Sequence, residues 1–226
     1  MKRKKEVKRV LSCLLALVLV FSITPSVFAD EPVTIYVDAI NGNDTQEGVG
    51  TTSDKAYKTV AKAVAAAKSG DTIQLSEGNY TLYGVSSKGH TKGKNLTFVG
   101  RGTDKTGWNI GAEVPDPTNF GTEYNGDYSF DGAKTITFKD MTLQSAGADY
   151  LGFIRADQTV VEDCTINGKT FYWGYTSAAF TNTTFNCPSG DYAVWTYSSP
   201  TMTFDHCTFN SSGKVINVFT DYGAGK

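Results

Sequence analysis

Histidine and cysteine are scarce: the 226-residue chain holds two of the first and four of the second. Little material is left for a metal centre, a histidine-assisted nucleophile or a disulfide framework. Basic charge is short as well, which argues against nucleic acid and anionic membrane surfaces as partners, because both require it concentrated. No apolar run reaches the roughly 20 residues that span a bilayer. The longest, Val10 to Phe21, follows Lys2, Arg3, Lys4, Lys5, Lys8 and Arg9 and is followed by Ser22, Thr24 and Pro25. Val27-Phe28-Ala29 supplies a cleavage site, so residues 1–29 read as an export signal cut after Ala29. The mature chain then carries 15 basic against 22 acidic residues, a net charge of −7, and is expected to be secreted or at the cell surface, a monomer, and not inserted in a membrane. It keeps three cysteines, an odd number, so packing must hold the fold. After Phe219 no capping helix, sorting signal or polar terminal repeat is seen, and a longer parent protein is the expectation.

What the chain does have is an internal repeat. TITFKDMTLQ (135–144), TVVEDCTIN (159–167), AAFTNTTFN (178–186) and TMTFDHCTFN (201–210) align so that Leu143, Ile166, Phe185 and Phe209 are equivalent, at spacings of 23, 19 and 24. Periods of that size signal stacked units, and short alternating apolar and Thr-rich runs favour strands. Each unit divides into a strand such as TVVE, a second such as CTI after a corner, and a third after a looser turn. Third strands are expected at Leu151–Arg155, Phe171–Tyr175, Tyr192–Tyr197 and Val215–Phe219. Strands that recur at three places per turn describe a coil stacked in parallel on its neighbours.

The repeat also places Asp205-His206-Cys207, the one run that gathers potential metal ligands. Met141, Cys164, Thr183 and Cys207 share an inward position, whereas Asp140, Asp163, Asn182 and His206 share the corner before it. No metal is therefore expected there. Cys164 and Cys207 lie two coils apart, at ~9.6 Å by rung spacing, too far for a disulfide. On this reading Cys207→Ser costs about 1–3 kcal/mol and His206→Ala much less.

The N-terminal third is different in kind. Thr34 to Asp38 alternates as a strand, a Gly/Asn/Asp loop follows, and Tyr57, Val60, Ala61 and Val64 recur at helical spacing, with Ser53 or Asp54 as N-cap and Gly70 as stop. Such an element would shield the open first coil. The motifs Val37-Asp38, Gly42-Asn43-Asp44, Lys58-Thr59 and Gly70-Asp71-Thr72-Ile73 resemble the N-terminal cap of the right-handed parallel β-helix, or pectate-lyase-like, family. Ala56-Tyr57 stands where that family usually carries Pro-Phe. The resemblance implies an all-β, right-handed single-stranded parallel β-helix with a short capping α-helix. Residues 1–29 would be the signal, 30–94 the cap and first coil, and 95–226 the remaining coils.

For function the resemblance implies polysaccharide lyases and hydrolases, depolymerases, or bacterial surface proteins whose helix displays a binding face. A lyase needs a base beside an acidified proton, with calcium held by aspartates. Arg155 with Asp127 and Asp149 is the constellation that fits, although Arg155 could equally pair with Asp157 or Glu162. The carboxylates that a hydrolase would need, drawn from Asp131, Asp149, Asp163 and Asp205, share no strand position. Aromatics crowd the third strands, and Tyr172, Tyr175, Trp195 and Tyr197 are the candidate stacking surface for a polysaccharide or cell-surface glycan. Alternation alone leaves open whether Phe171/Trp173/Tyr175 or Tyr172/Gly174 faces inward. A binding or adhesive module without cofactor is the expectation; a calcium-dependent lyase and a structural spacer are the alternatives.

Overall fold

The computed structural model describes residues 31–45, 47–81, 90–109, 128–130, 132–144, 153–168, 172–187, 193–197 and 201–219. In chain order the strands are β1 (Thr34–Val37), β2 (Thr72–Leu75), β3 (Gly78–Thr81), β4 (Asn95–Val99), β5 (Thr106–Asn109), β6 (Tyr128–Ser129), β7 (Thr135–Lys139), β8 (Thr142–Gln144) and β9 (Phe153–Ile154). They continue as β10 (Gln158–Glu162), β11 (Thr165–Asn167), β12 (Tyr172–Trp173), β13 (Ser177–Thr181), β14 (Thr184–Cys187), β15 (Val194–Tyr197), β16 (Thr201–Asp205), β17 (Thr208–Ser211) and β18 (Ile216–Phe219). One helix, α1 (Val60–Ala66), joins β1 to β2.

Each of these strands pairs with the equivalent strand of a neighbouring coil, always in parallel. The first sheet runs β1-β2-β4-β7-β10-β13-β16 and the second β17-β14-β11-β8-β5-β3. The third-strand stack is split into β12-β9-β6 and β15-β18. This is an all-β parallel β-helix with a short N-terminal helix. The register matches the repeat: Ile166 pairs with Leu143 and Phe185, and Phe185 with Phe209.

Alternation along each strand decides what enters the core. Leu96, Phe98, Trp108, Phe130, Ile136, Phe138, Leu143, Val161, Ile166, Trp173, Phe180 and Phe185 are buried. Because the rungs are in register, equivalent rings lie on one another: Phe180 on Phe204 at 5.1 Å and 6°, Phe185 on Phe209 at 4.6 Å and 9°. Around Trp108 the rings of Phe98, Phe130 and Phe138 meet at steeper angles instead, 4.8–5.7 Å away.

The corner between first and second strands has one sharp feature. Asp140, Asp163, Asn182 and His206 all sit in the left-handed region, with φ of 54°, 54°, 48° and 53°. That conformation disfavours a β-carbon, and Asn and Asp tolerate it best because their short polar side chains bond locally. Here Asn182 Nδ2 donates to Asp163 Oδ1 at 3.1 Å, from one coil to the next. The sequence reading had the corner but not its hand, and that changes an expected ranking. Alanine at His206 puts a strained residue in place of another, a change of about 1 kcal/mol. Serine at Cys207 is easier than expected, because Thr183, its equivalent one coil earlier, donates its hydroxyl to the Thr181 carbonyl at 3.0 Å. The Cys207 Sγ lies 3.5 Å from the matching Asp205 carbonyl and is only partly buried. Cys207→Ser is therefore expected to shift stability by less than about 0.5 kcal/mol, with His206→Ala the more costly of the two and His206→Gly neutral or stabilising. Urea melts of the three variants test this ranking; a loss of more than ~1 kcal/mol for Cys207→Ser alone would refute it.

The helix also departs from expectation. Ser53 and Asp54 belong to a short 3-10 turn, Ser53–Lys55, and not to the N-cap of α1. Tyr57 lies outside the helix, bridged to Val37 of β1, and the N-cap is Thr59, whose hydroxyl accepts from Lys62 N–H at 3.3 Å. The helix ends at Ala66, four residues before Gly70. Periodicity of Tyr57 with Val60 misled the assignment because Tyr57 packs on the same core from an extended backbone.

Candidate functional site

Three groups of residues were singled out by sequence: the cap motifs, the Asp205-His206-Cys207 run, and the third-strand aromatics with Arg155. The structure gives the first two local duties in the fold.

In the cap, each of the three motif aspartates is bound to backbone. Asp38 Oδ1 accepts from Ile40 and Asn41 N–H, both at 2.9 Å. Burial pushes that carboxyl up, but these hydrogen bonds outweigh it and its pKa lies below the ordinary value. Asp44 Oδ1 accepts from Lys58 N–H at 2.8 Å and Thr59 N–H at 3.2 Å, while its Oδ2 accepts the Thr59 hydroxyl at 2.8 Å. The loop is thereby tied to the start of α1. Gly42 leaves no room for a side chain, since a β-carbon would stand 2.2 Å from the Tyr57 carbonyl oxygen. Ala56, at φ −71°, holds the torsion that proline would impose, so the turn keeps its shape without one. The buried Asp71 accepts from Val33 N–H at 3.0 Å and Lys68 N–H at 2.7 Å. Lys94 closes the other end of the helix, its Nζ donating to the carbonyls of Val64 and Ala67.

At the other end of the coil stack, His206 and Cys207 diverge. His206 is exposed and its Nδ1 lies 2.7 Å from Asp205 Oδ1, whereas Cys207 packs against the core with its Sγ 3.5 Å from the Phe180 carbonyl. Cys164 is more deeply enclosed: burial pushes its thiol up to about 12. Native protein at pH 8 should thus be alkylated at Cys207 before Cys164, and peptide mapping after brief iodoacetamide treatment checks this order. Prior labelling of Cys164 would show that its coil opens more readily than the packing implies.

The third-strand side presents a real surface feature. Trp173 is buried, Gly174 follows at φ 118°, and Tyr175 emerges 44% exposed. Strict alternation would have put residues 173 and 175 on one face. The left-handed glycine ends the strand and turns the chain, so Trp173 goes inward and Tyr175 outward. Gly174 has no room for more, because a β-carbon there would lie 2.9 Å from the Ser177 carbonyl oxygen.

Tyr175 is not alone. One coil below, Arg155 donates from Nε to the Tyr175 hydroxyl at 2.5 Å, with the guanidinium carbon 5.8 Å from the ring centroid. Those two distances place the cation beyond the hydroxyl edge and leave it out of the ring's stacking faces. Two residues that sequence reasoning had assigned to rival functions therefore form one unit. Glu162, considered as a partner for Arg155, is bound by Lys139 instead, at 2.5 Å. Tyr172, Trp195 and Tyr197 lie on β12 and β15, but their side chains are outside what is described. Asp127 and Asp149, the calcium ligands of the lyase alternative, also lie outside the described residues.

Residues 40–87 match a family model described as "Protein of unknown function (DUF1565)", a family associated with β-helix proteins. The matched span holds most of the loop, α1, β2 and all of β3, and it includes Asp44 and Asp71, whose carboxylates are bonded to backbone N–H groups. No curated protein matches the chain.

Proposed function

We propose that this chain is an exported β-helix module of the cell surface that binds a glycan along its third-strand side without catalysing a reaction. The observation that carries the reading is Tyr175: a large, flat side chain, 44% exposed and held by Arg155 at the edge of the third-strand stack. Such a ring supplies apolar contact to a sugar face at low entropic cost, and a neighbouring cation can donate to sugar hydroxyls or carboxylates. Tyr172, Trp195 and Tyr197 occupy the same stack and extend the proposed strip. No cofactor enters this reading, and the partner is a polysaccharide or a cell-surface glycan.

Binding of the mature protein to an immobilised glycan panel is the direct test. Tyr175→Ala should weaken the best-bound glycan by ~1–3 kcal/mol while leaving the melting temperature within a degree or two, since the side chain packs on the outside. Chelation of calcium should leave binding intact. Unsaturated, ultraviolet-absorbing products that require both calcium and Arg155 would replace this reading with a lyase. No glycan binding and no product would reduce the module to a spacer.

A further inference from the structure

The second sheet turns a different face to solvent. Its outward residues form two columns that run along the coil axis. One holds Asn79, Gly107, Thr142, Thr165, Thr184 and Thr208; the other holds Asn109, Gln144, Asn167, Asn186 and Asn210. The residues between them, Trp108, Leu143, Ile166 and Phe185, are buried, so the two columns are anchored on a packed core. In the second column the amides are chained: Asn186 Nδ2 donates to Asn167 Oδ1 at 2.9 Å, and Asn210 Nδ2 to Asn186 Oδ1 at 2.8 Å. In the first, Thr142 donates to the Thr103 carbonyl, while the hydroxyls of Thr165, Thr184 and Thr208 have no hydrogen-bond partner among the described residues. Below them Asn79 lies against Gly107, where a β-carbon would come within 2.4 Å of its Oδ1.

We propose that this face is a platform for a neutral, linear polysaccharide laid along the coil axis, with one rung meeting each sugar residue, centred on the pairs Thr165–Asn167, Thr184–Asn186 and Thr208–Asn210. Three properties argue for that occupant. Across both columns there is no charged residue, in a mature chain of net charge −7 whose nearby carboxylates, Asp140, Asp163 and Asp205, stand on the adjoining corner and strand edge. A neutral polymer needs no counter-charge here, and an anionic one is repelled by the protein as a whole. The columns repeat at ~4.8 Å, the rise per rung of a parallel stack, a length close to the advance per residue of an extended β-linked pyranose chain. Hydroxyls and amides that both donate and accept, fixed on a rigid sheet, bind sugar hydroxyls with little loss of side-chain freedom. This shares with the reading above the premise that the module meets polysaccharide, but neither Tyr175 nor Arg155 takes part.

Affinity electrophoresis of the mature protein in gels containing a soluble neutral β-linked glucan or mannan, with polygalacturonate as the anionic control, provides the test. The expected result is retardation by a neutral polymer and not by polygalacturonate. Thr165→Glu and Thr184→Glu, outward substitutions, should each weaken retardation about tenfold or more with the melting temperature kept, and Thr184→Val, which removes only the hydroxyl, about threefold. Thr184→Ser should retain binding, and the valine variant serves should a glutamate variant fail to fold. Tyr175→Ala should leave this retardation unchanged, which separates the two surfaces: its loss in Tyr175→Ala with retention in Thr184→Glu would overturn the platform and leave the third-strand strip standing. Equal retardation of wild type, Thr165→Glu and Thr184→Glu, stronger retardation by polygalacturonate, or none by any neutral polymer would likewise overturn it.

Discussion

Phe185→Ala is expected to lower stability by ~3–5 kcal/mol, read from urea unfolding with an unchanged slope. The ring is fully buried and touches three others: Phe209 stacked at 4.6 Å, Phe180 at 5.1 Å and Phe204 at 6.1 Å. Ile166 pairs with it in the neighbouring rung. Truncation would open a cavity between rungs that the hydrogen-bonded ladder cannot collapse, because the strands on either side are fixed at the spacing of a parallel sheet. Phe209, its equivalent one coil on, is only partly buried. Phe209→Ala should cost clearly less than Phe185→Ala, and an equal or greater loss would mean that the interior order of the stack is wrong.

Asp71→Ala carries the second largest expected effect, ~3–5 kcal/mol. The carboxylate is 3% exposed and accepts two backbone N–H groups, those of Val33 ahead of β1 and Lys68 after α1, with Lys94 attracted nearby. Its removal leaves two donors without an acceptor and a lysine whose charge is already disfavoured by burial. Asparagine is no remedy, since one of its two ends presents N–H to an N–H. The damage should be local: hydrogen exchange should quicken across 33–37 and 60–67 while amides of β10 and β13 keep their protection. Uniform loss of protection would show that the cap and the coils open as one.

How far the sequence could be read differs from element to element, and the differences have physical causes. The coil register was legible in Leu143, Ile166, Phe185 and Phe209 because a period-2 strand repeated at near-constant intervals leaves one admissible alignment. The third-strand phase was not, since it hinged on the hand of one glycine: with Gly174 at φ 118°, Trp173 and Tyr175 part company, and no alternation rule anticipates that. Helix α1 was placed but its start was not, because Tyr57 meets the helical spacing while lying extended against β1. The unit of Arg155 and Tyr175 was out of reach for a different reason: it spans two coils of unequal length, so only three-dimensional placement brings the pair together. The Thr and Asn columns were in plain view as TLQ, TIN, TFN and TFN, but alternation marks such residues only as outward and says nothing of what they meet.

The left-handed corner has a bearing on how such a chain can diverge. In the four aligned units, from Phe138 to Leu143, Val161 to Ile166, Phe180 to Phe185 and Phe204 to Phe209, the span across that corner is invariably five residues, whereas successive units differ in length by up to five. Among these four units growth and shrinkage therefore fall in the remaining turns, whereas in the coil before them the equivalent span, Phe98 to Trp108, is ten residues. The corner works like the spine of a ring binder: pages may be added or trimmed at their outer margin without disturbing the holes. Segments beyond Gln144, Asn167 and Cys187 can vary in length and chemistry under selection for a new ligand, while in these four units the two sheets that meet at the corner stay in step.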